Sequence, residues 1–183
     1  QLVNLFPEFK DVSVDELVSM INKTECSLIR TEADELTYPL HIMVRYEIEK
    51  EIAKGNVDYD KLPEVWADKY EEYLGVRPAN YKEGVLQDMH WSTGYLGYFP
   101  TYALGSAYAA QLYATMEKQF DVEEALLTNH FEKITDWLKE NVHHYAASKS
   151  MAEIVEEVSG EPFNPDYYTD YLIKKYKKLY NLD

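Results

Sequence analysis

Apolar residues recur along most of this 183-residue chain at intervals of three and four, the repeat of a helix with one buried face. The capping-box pattern Ser13-Val-Asp-Glu16 is followed by Val14, Leu17, Val18 and Ile21 on one face, which predicts a short amphipathic helix. A long helix is predicted from about Glu32 to Lys54, closed by Gly55. A third should run from Asp60 to Leu74, closed by Gly75, with Pro63 tolerated near its start. Regularity then stops. Residues 76–100 carry Pro78, Gly84, Gly94, Gly97 and Pro100, too many interruptions for one helix. It resumes near Thr101 with TYALGSAYAAQLYATMEKQF, whose small residues permit close helix packing. Shorter helices are predicted near 122–128 and 130–145. The capping box Ser150-Met-Ala-Glu153 opens another that ends at Gly160, and the last begins at Asn164 with Pro165 in its first turn. No repeat, low-complexity segment or linker divides the chain. The expectation is a single all-α unit over residues 1–183, with one irregular glycine- and aromatic-rich insert near 76–100.

Charge narrows the function classes. The chain has 33 Asp plus Glu against 18 Lys plus Arg, a net charge of −15, and such a field repels phosphate backbones. No nucleic-acid partner is expected; the basic tail YLIKKYKKLYNL (171–182) reads as the wet face of a final helix. Seventeen tyrosines, whose rings pack while their hydroxyls need partners, predict half-polar crevices. Cys26 is the only cysteine, which excludes an intrachain disulfide or a Cys-cluster zinc site and suits a reducing, cytoplasmic location. No apolar run approaches the roughly 18 residues of a membrane span, so no membrane partner is expected, and no signal peptide opens the chain. The start QLVNLFPEF lacks an initiator Met and begins in mid-pattern, as a processed chain or a fragment would.

Five histidines, at 41, 90, 130, 143 and 144, never form H-E-x-x-H, and the adjacent pair His143-His144 would diverge by about 100° on a helix. No metal site is expected from this chain. His41 shares a helix face with Tyr38 and Arg45, which suits either a cleft wall or a hydrogen-bonded, partly buried histidine. Arg30 follows two apolar residues, so its stem should be packed. Its guanidinium would suit a two-pronged grip on a carboxylate, or a bridge to Asp34 or Glu35. Within GVLQDMHWSTGYLGYFPTY (84–102), Gln87 and His90 are hydrogen-bonding groups in a segment with little regular backbone. An imidazole there can donate to a developing oxyanion, and Tyr95, Tyr98 and Tyr102 can add phenolic donors. An aromatic core knot around a satisfied histidine explains the same residues.

Two motifs change that balance. IRTEADELTYPLHI (29–42) and GVLQDMHW (84–91) resemble the Ile-Arg-x-x-Ala-Asp and Gly-x-x-Gln-Asp-x-His-Trp signatures of the carboxypeptidase Taq family of zinc metallocarboxypeptidases. HIMVRYEIEKEI (41–52), EEYLGVRP (71–78) and GYFPTYALG (97–105) are similar to that family's text too, so the resemblance runs over essentially the whole chain. It implies a helical lobe of a zincin-like metallocarboxypeptidase that removes one residue at a time from peptide C-termini. In that family zinc is held by H-E-x-x-H and by a glutamate of a later motif, both upstream of Ile-Arg-x-x-Ala-Asp and both absent here. The chain thus resembles the C-terminal part of such an enzyme, inactive alone, whose partners are the missing N-terminal part and the C-terminus of a peptide substrate.

By the same resemblance Arg30 takes the substrate α-carboxylate and Gln87 positions the peptide or that carboxylate. His90 hydrogen-bonds the tetrahedral oxyanion with help from Tyr98 or Tyr102, while Asp88 orients a neighbour. Family members are often homodimers, and a lobe cut from a larger protein should self-associate, although no stretch marks a dimer seam. The competing expectation is a free-standing, non-catalytic helical module that binds a peptide or protein. The coding sequence upstream of Gln1 separates the two.

Overall fold

The computed structural model describes residues 5–183, and among these no strand is present. The chain gathers into two compact units, one reaching to Pro100 and one from Thr101 to Asp183.

In the first unit, α1 (Val14–Ile21) begins at Ser13, whose capping box with Glu16 is fully formed. The predicted long helix starts later than its pattern suggests. Arg30–Glu32 make one 3-10 turn, Ala33 is extended, and α2 runs Tyr38–Ala53. Pro39 explains the difference: it has no N–H for a helical bond and fits only the first turn. Asp34 staples the preceding loop. Its carboxylate accepts from Thr24 Oγ1 at 2.7 Å, Glu25 N at 3.0 Å, Leu36 N at 2.9 Å and both polar groups of Thr37. Burial pushes that carboxyl up, but these donors outweigh it and hold it below the ordinary carboxylate value.

A short 3-10 turn leads into α3 (Leu62–Leu74), which ends on Gly75 at φ +67°, a left-handed conformation that a side chain would strain. α2 and α3 pack as a hairpin through Val44 and Ile48 against Trp66, Tyr70 and Leu74, each set spaced by one helical turn. Leu28, Val85 and Trp91 pack against the same core, so the loop before α2 and the irregular insert both lie on this hairpin. The insert has only one short 3-10 turn, Trp91–Thr93, as its glycines and prolines predicted.

The stripe of α2 beside this apolar one is unusual. His41, Arg45 and Glu49 recur every four residues and all three are buried, a polar stripe inside the unit. Such a stripe persists only if its members find partners. Those partners make the site.

The second unit holds α4 (Pro100–Glu117) from Thr101 onward, α5 (Val122–Leu127), α6 (Phe131–Asn141), α7 (Met151–Ser159) and α8 (Asp166–Tyr180). Its core is Leu112, Met116, Val122, Trp137 and Val155. The Ser150–Glu153 capping box opens α7 and Gly160 closes it, as the sequence predicts. Gln111, fully buried, ties α4 to the loop before α8 by donating to Ser159 Oγ and Pro162 O and accepting from Asn164 N. Among the described residues no helix is long and apolar enough to cross a membrane.

Candidate functional site

The insert carries Gln87 and Asp88 to the buried stripe of α2, and the loop before α2 carries Arg30 there. Asp88 is the junction. Its Oδ1 accepts from Arg30 Nη2 at 2.7 Å and Nε at 3.2 Å, and its Oδ2 accepts from Arg45 Nε at 2.7 Å and lies 2.6 Å from Arg45 Nη2 in an ion pair. Arg30 is 8 % exposed and Arg45 wholly buried. Burial alone would push the Asp88 carboxyl up. The two guanidiniums outweigh it and hold it below the ordinary carboxylate range.

Gln87 locks the same groups from the neighbouring position. Its Oε1 accepts from Arg30 N at 3.0 Å and Arg45 Nη2 at 2.9 Å. Its Nε2 donates to Leu28 O at 3.1 Å and Glu83 O at 2.8 Å. The insert is fixed at its far end by Glu49, whose Oε1 accepts from Trp91 Nε1 and Gly97 N, both at 2.9 Å. Gly84 permits the tight path into Gln87, since a Cβ there would meet Asn80 O at 3.2 Å.

His41 lies behind the cluster with Nδ1 at 3.1 Å from the Tyr70 hydroxyl, and that hydroxyl also accepts from Arg45 Nη1 at 3.0 Å. Burial first, then the charges of Arg45 and Arg30, push His41 down to about 4, so it is neutral near pH 7. It is a fully buried, hydrogen-bonded histidine. Tyr38, beside it in sequence, accepts from Arg30 Nη1 at 3.1 Å.

His90 stands at the edge of the cluster, its Nδ1 4.0 Å from Asp88 Oδ1. Its ring lies against Phe99, 4.3 Å between centroids, and is stacked with Tyr98 at 5.9 Å. With Met89, Thr93, Tyr95 and Tyr98 it lines an open, mostly apolar hollow of about 410 Å³. Thus Arg30, Gln87, His90 and Tyr98 come together in the first unit. Tyr102 belongs to the second, half-buried in the first turn of α4.

Arg30 pairs with Asp88, 58 positions away. Sequence reasoning places Arg45 on the right helix face without assigning it a function, and it passes over Tyr70 and Glu49. The four-residue spacing of His41, Arg45 and Glu49 is the signal that marks them.

Among the described residues no three of His, Cys, Asp and Glu lie close enough to hold a metal ion. The donor chemistry agrees. Asp88, the acid nearest His90, is already taken by two guanidiniums, and His41 faces the same cations. His130 pairs with Glu132 on the exposed start of α6, and His143 and His144 are exposed beyond its end. These residues do not fit a catalytic zinc.

The family model described as Carboxypeptidase Taq (M32) metallopeptidase matches residues 1–176. Carboxypeptidase 1 of Bacillus subtilis (strain 168) is 48% identical over 176 residues, which is 96% of this chain and 35% of that protein. Thermostable carboxypeptidase 1 of Thermus thermophilus is 42% identical over 177 residues, again 96% of this chain and 35% of the relative. The crystal structure of M32 carboxypeptidase from Deinococcus radiodurans R1 superposes with a TM-score of 0.93 at 35% identity, covering 98% of this chain and 37% of that one. Trypanosoma cruzi metallocarboxypeptidase 1 gives 0.90 at 37% identity, over 96% of this chain and 37% of its own. The chain therefore spans about a third of the length of the curated relatives it matches.

Proposed function

Because the chain belongs to the carboxypeptidase Taq (M32) metallopeptidase family, we propose that it is the C-terminal, substrate-binding part of a zinc metallocarboxypeptidase that releases single residues from peptide C-termini. The observation that carries this reading is the charge of the buried cluster. Two guanidiniums share one carboxylate, which leaves one positive charge beside an open aromatic hollow. An exopeptidase needs a fixed cation to recognise a free α-carboxylate, and guanidinium–carboxylate pairing is strong and directional. Arg30 has that role. It lies at the less buried end of the cluster, while Asp88 and Gln87 hold its side chain and its backbone.

His90 is the donor to the oxyanion of the scissile carbonyl, supported by its edge position and by packing that fixes its ring between Phe99 and Tyr98. Tyr98 or Tyr102 assists. Gln87, engaged on both polar atoms by protein groups, contributes by placing Arg30 rather than through a free donor. In this reading the metal and its general base come from the part of the enzyme outside this chain, and this chain alone does not hydrolyse peptides. Its place is the cytoplasm.

The test is complementation. This chain, mixed with the remaining two-thirds of the enzyme and zinc, should release residues one at a time from a peptide C-terminus, read by mass spectrometry. A complemented protein that binds peptide but trims none would instead favour a non-catalytic helical module.

A further inference from the structure

Arg45 is unusual in finding all its polar partners inside the protein. Nε donates to Asp88 Oδ2 and Nη2 donates to Gln87 Oε1 at 2.9 Å, with Nη2 also ion-paired to Asp88 Oδ2 at 2.6 Å. Nη1 donates to His41 O at 2.7 Å and to the Tyr70 hydroxyl at 3.0 Å. Its guanidinium lies 4.6 Å from the Trp66 ring and 5.2 Å from Phe99, so aromatic faces cover it. No part of it is exposed. A ligand cannot reach it.

A wholly buried cation costs desolvation, and its placement calls for a role. Asp88 and Gln87, which hold Arg30, are also the two side chains that Arg45 grips. The charge count is equally specific. Arg30 and Asp88 alone would be neutral; adding Arg45 makes the cluster +1. Glu49, one helical turn along α2, makes no ion pair with either arginine, since its Oε1 is spent on Trp91 and Gly97.

We propose that Arg45 is the positioning residue for Arg30: it offsets the charge of Asp88 and fixes Asp88 and Gln87, so that Arg30 stands in one place with a positive charge left over for a carboxylate ligand. This rests on the reading that Arg30 receives an α-carboxylate. A lysine gives up the planar fork but keeps the charge, which is the part of the role that sets the preference for an acid.

The probes are N-acetyl-L-alanine and its amide, titrated into this chain and followed by backbone amide NMR shifts. The wild-type chain should prefer the acid by about tenfold, the scale of one charged hydrogen bond. Arg45→Gln makes the cluster neutral and should cost about tenfold in acid affinity. The double variant Arg45→Gln with Asp88→Asn returns the surplus charge and should recover about threefold or more over the single variant. A merely structural arginine would give no such recovery. Arg45→Lys keeps the charge and should retain the preference for acid, which keeps the test decisive if Arg45→Gln fails to fold.

A wild-type chain that does not favour acid over amide overturns the carboxylate reading and this inference with it. If the wild type favours acid, the role of Arg45 alone is overturned by any of three results. These are an Arg45→Gln chain with undiminished preference, a double variant no tighter than the single, or an Arg45→Lys chain without preference.

Discussion

Replacing Asp88 by Asn tests the heart of the cluster at the level of stability. The carboxylate holds Arg30 mainly through Oδ1 and Arg45 through Oδ2. An amide has one oxygen, so it can serve one guanidinium, and its NH2 group then faces the N–H donors of the other. Arg45 makes the shorter contacts and cannot reach water, so the oxygen should stay with it. Arg30, 8 % exposed, would recover part of its solvation. Removing one partner of a buried ion pair costs about 3–5 kcal/mol, and this partial rescue places Asp88→Asn near about 3 and Asp88→Ala near about 5.

Urea unfolding followed by tryptophan emission, in a Trp137→Phe background so that Trp66 and Trp91 of the first unit report, measures the loss. The sign of its pH dependence is also fixed. Asp88 is held below its unfolded value, so its contribution is complete above the ordinary carboxyl value of about 3.9 and fades as pH falls through the lower folded value. The gap between wild type and Asp88→Asn should be constant from about pH 7 to about pH 5 and narrow only below about pH 4. A gap smaller than about 1 kcal/mol at pH 7, no more than a surface ion pair supplies, would mean the guanidiniums do not depend on this carboxylate.

Three further outcomes follow from the same geometry. His41 is pushed to about 4 when folded from an ordinary 6.5, so the unfolded chain binds a proton that the native chain refuses between those values. Stability should therefore fall by about 1.4 kcal/mol for each pH unit lowered through that interval, about 3 in all, and His41→Phe should flatten the slope; an unchanged slope refutes the assignment. Ser150→Ala removes one capping box and should cost about 1 kcal/mol in the second unit, read by thermal unfolding, whereas no loss would show that α7 does not depend on its cap. Trp91→Phe deletes the Nε1 donor to the buried Glu49 and should cost about 1–3 kcal/mol in urea unfolding, with Glu49→Gln added to the Trp91→Phe chain recovering part of it. Equal stability of wild type and Trp91→Phe would show that the insert is held elsewhere.

Local chemistry makes much of the fold legible. Ser13 and Ser150 announce their helices, Gly75 and Gly160 end theirs, and the breakers over 76–100 yield an irregular insert. Pattern alone misplaces the start of α2 because an apolar and acidic rhythm runs on through Arg30–Glu35, whereas Pro39 and the Asp34 staple set the true boundary. At the site, the packed stem of Arg30 is readable from the two apolar residues before it. Its partner is not. An ion pair 58 residues apart exists only after the hairpin has brought the insert to α2, and periodicity carries no record of which acid it will be. Arg45 and Glu49 are hidden for a related reason: charged residues on a helix normally mark the wet face, and here the helix buries them.

If this chain supplies the carboxylate recognition of a metallocarboxypeptidase, trimming must depend on a free substrate C-terminus. The most direct measurement compares one peptide with a free and with an amidated C-terminus, using zinc and this chain complemented by the rest of its enzyme. Stepwise trimming of the free peptide only is expected, and an Arg30→Ala chain should lose about a hundredfold in kcat/KM on it, the scale of a buried charge-assisted pair. Equal trimming of the amidated peptide, or an Arg30→Ala chain as active as the wild type, would contradict that role.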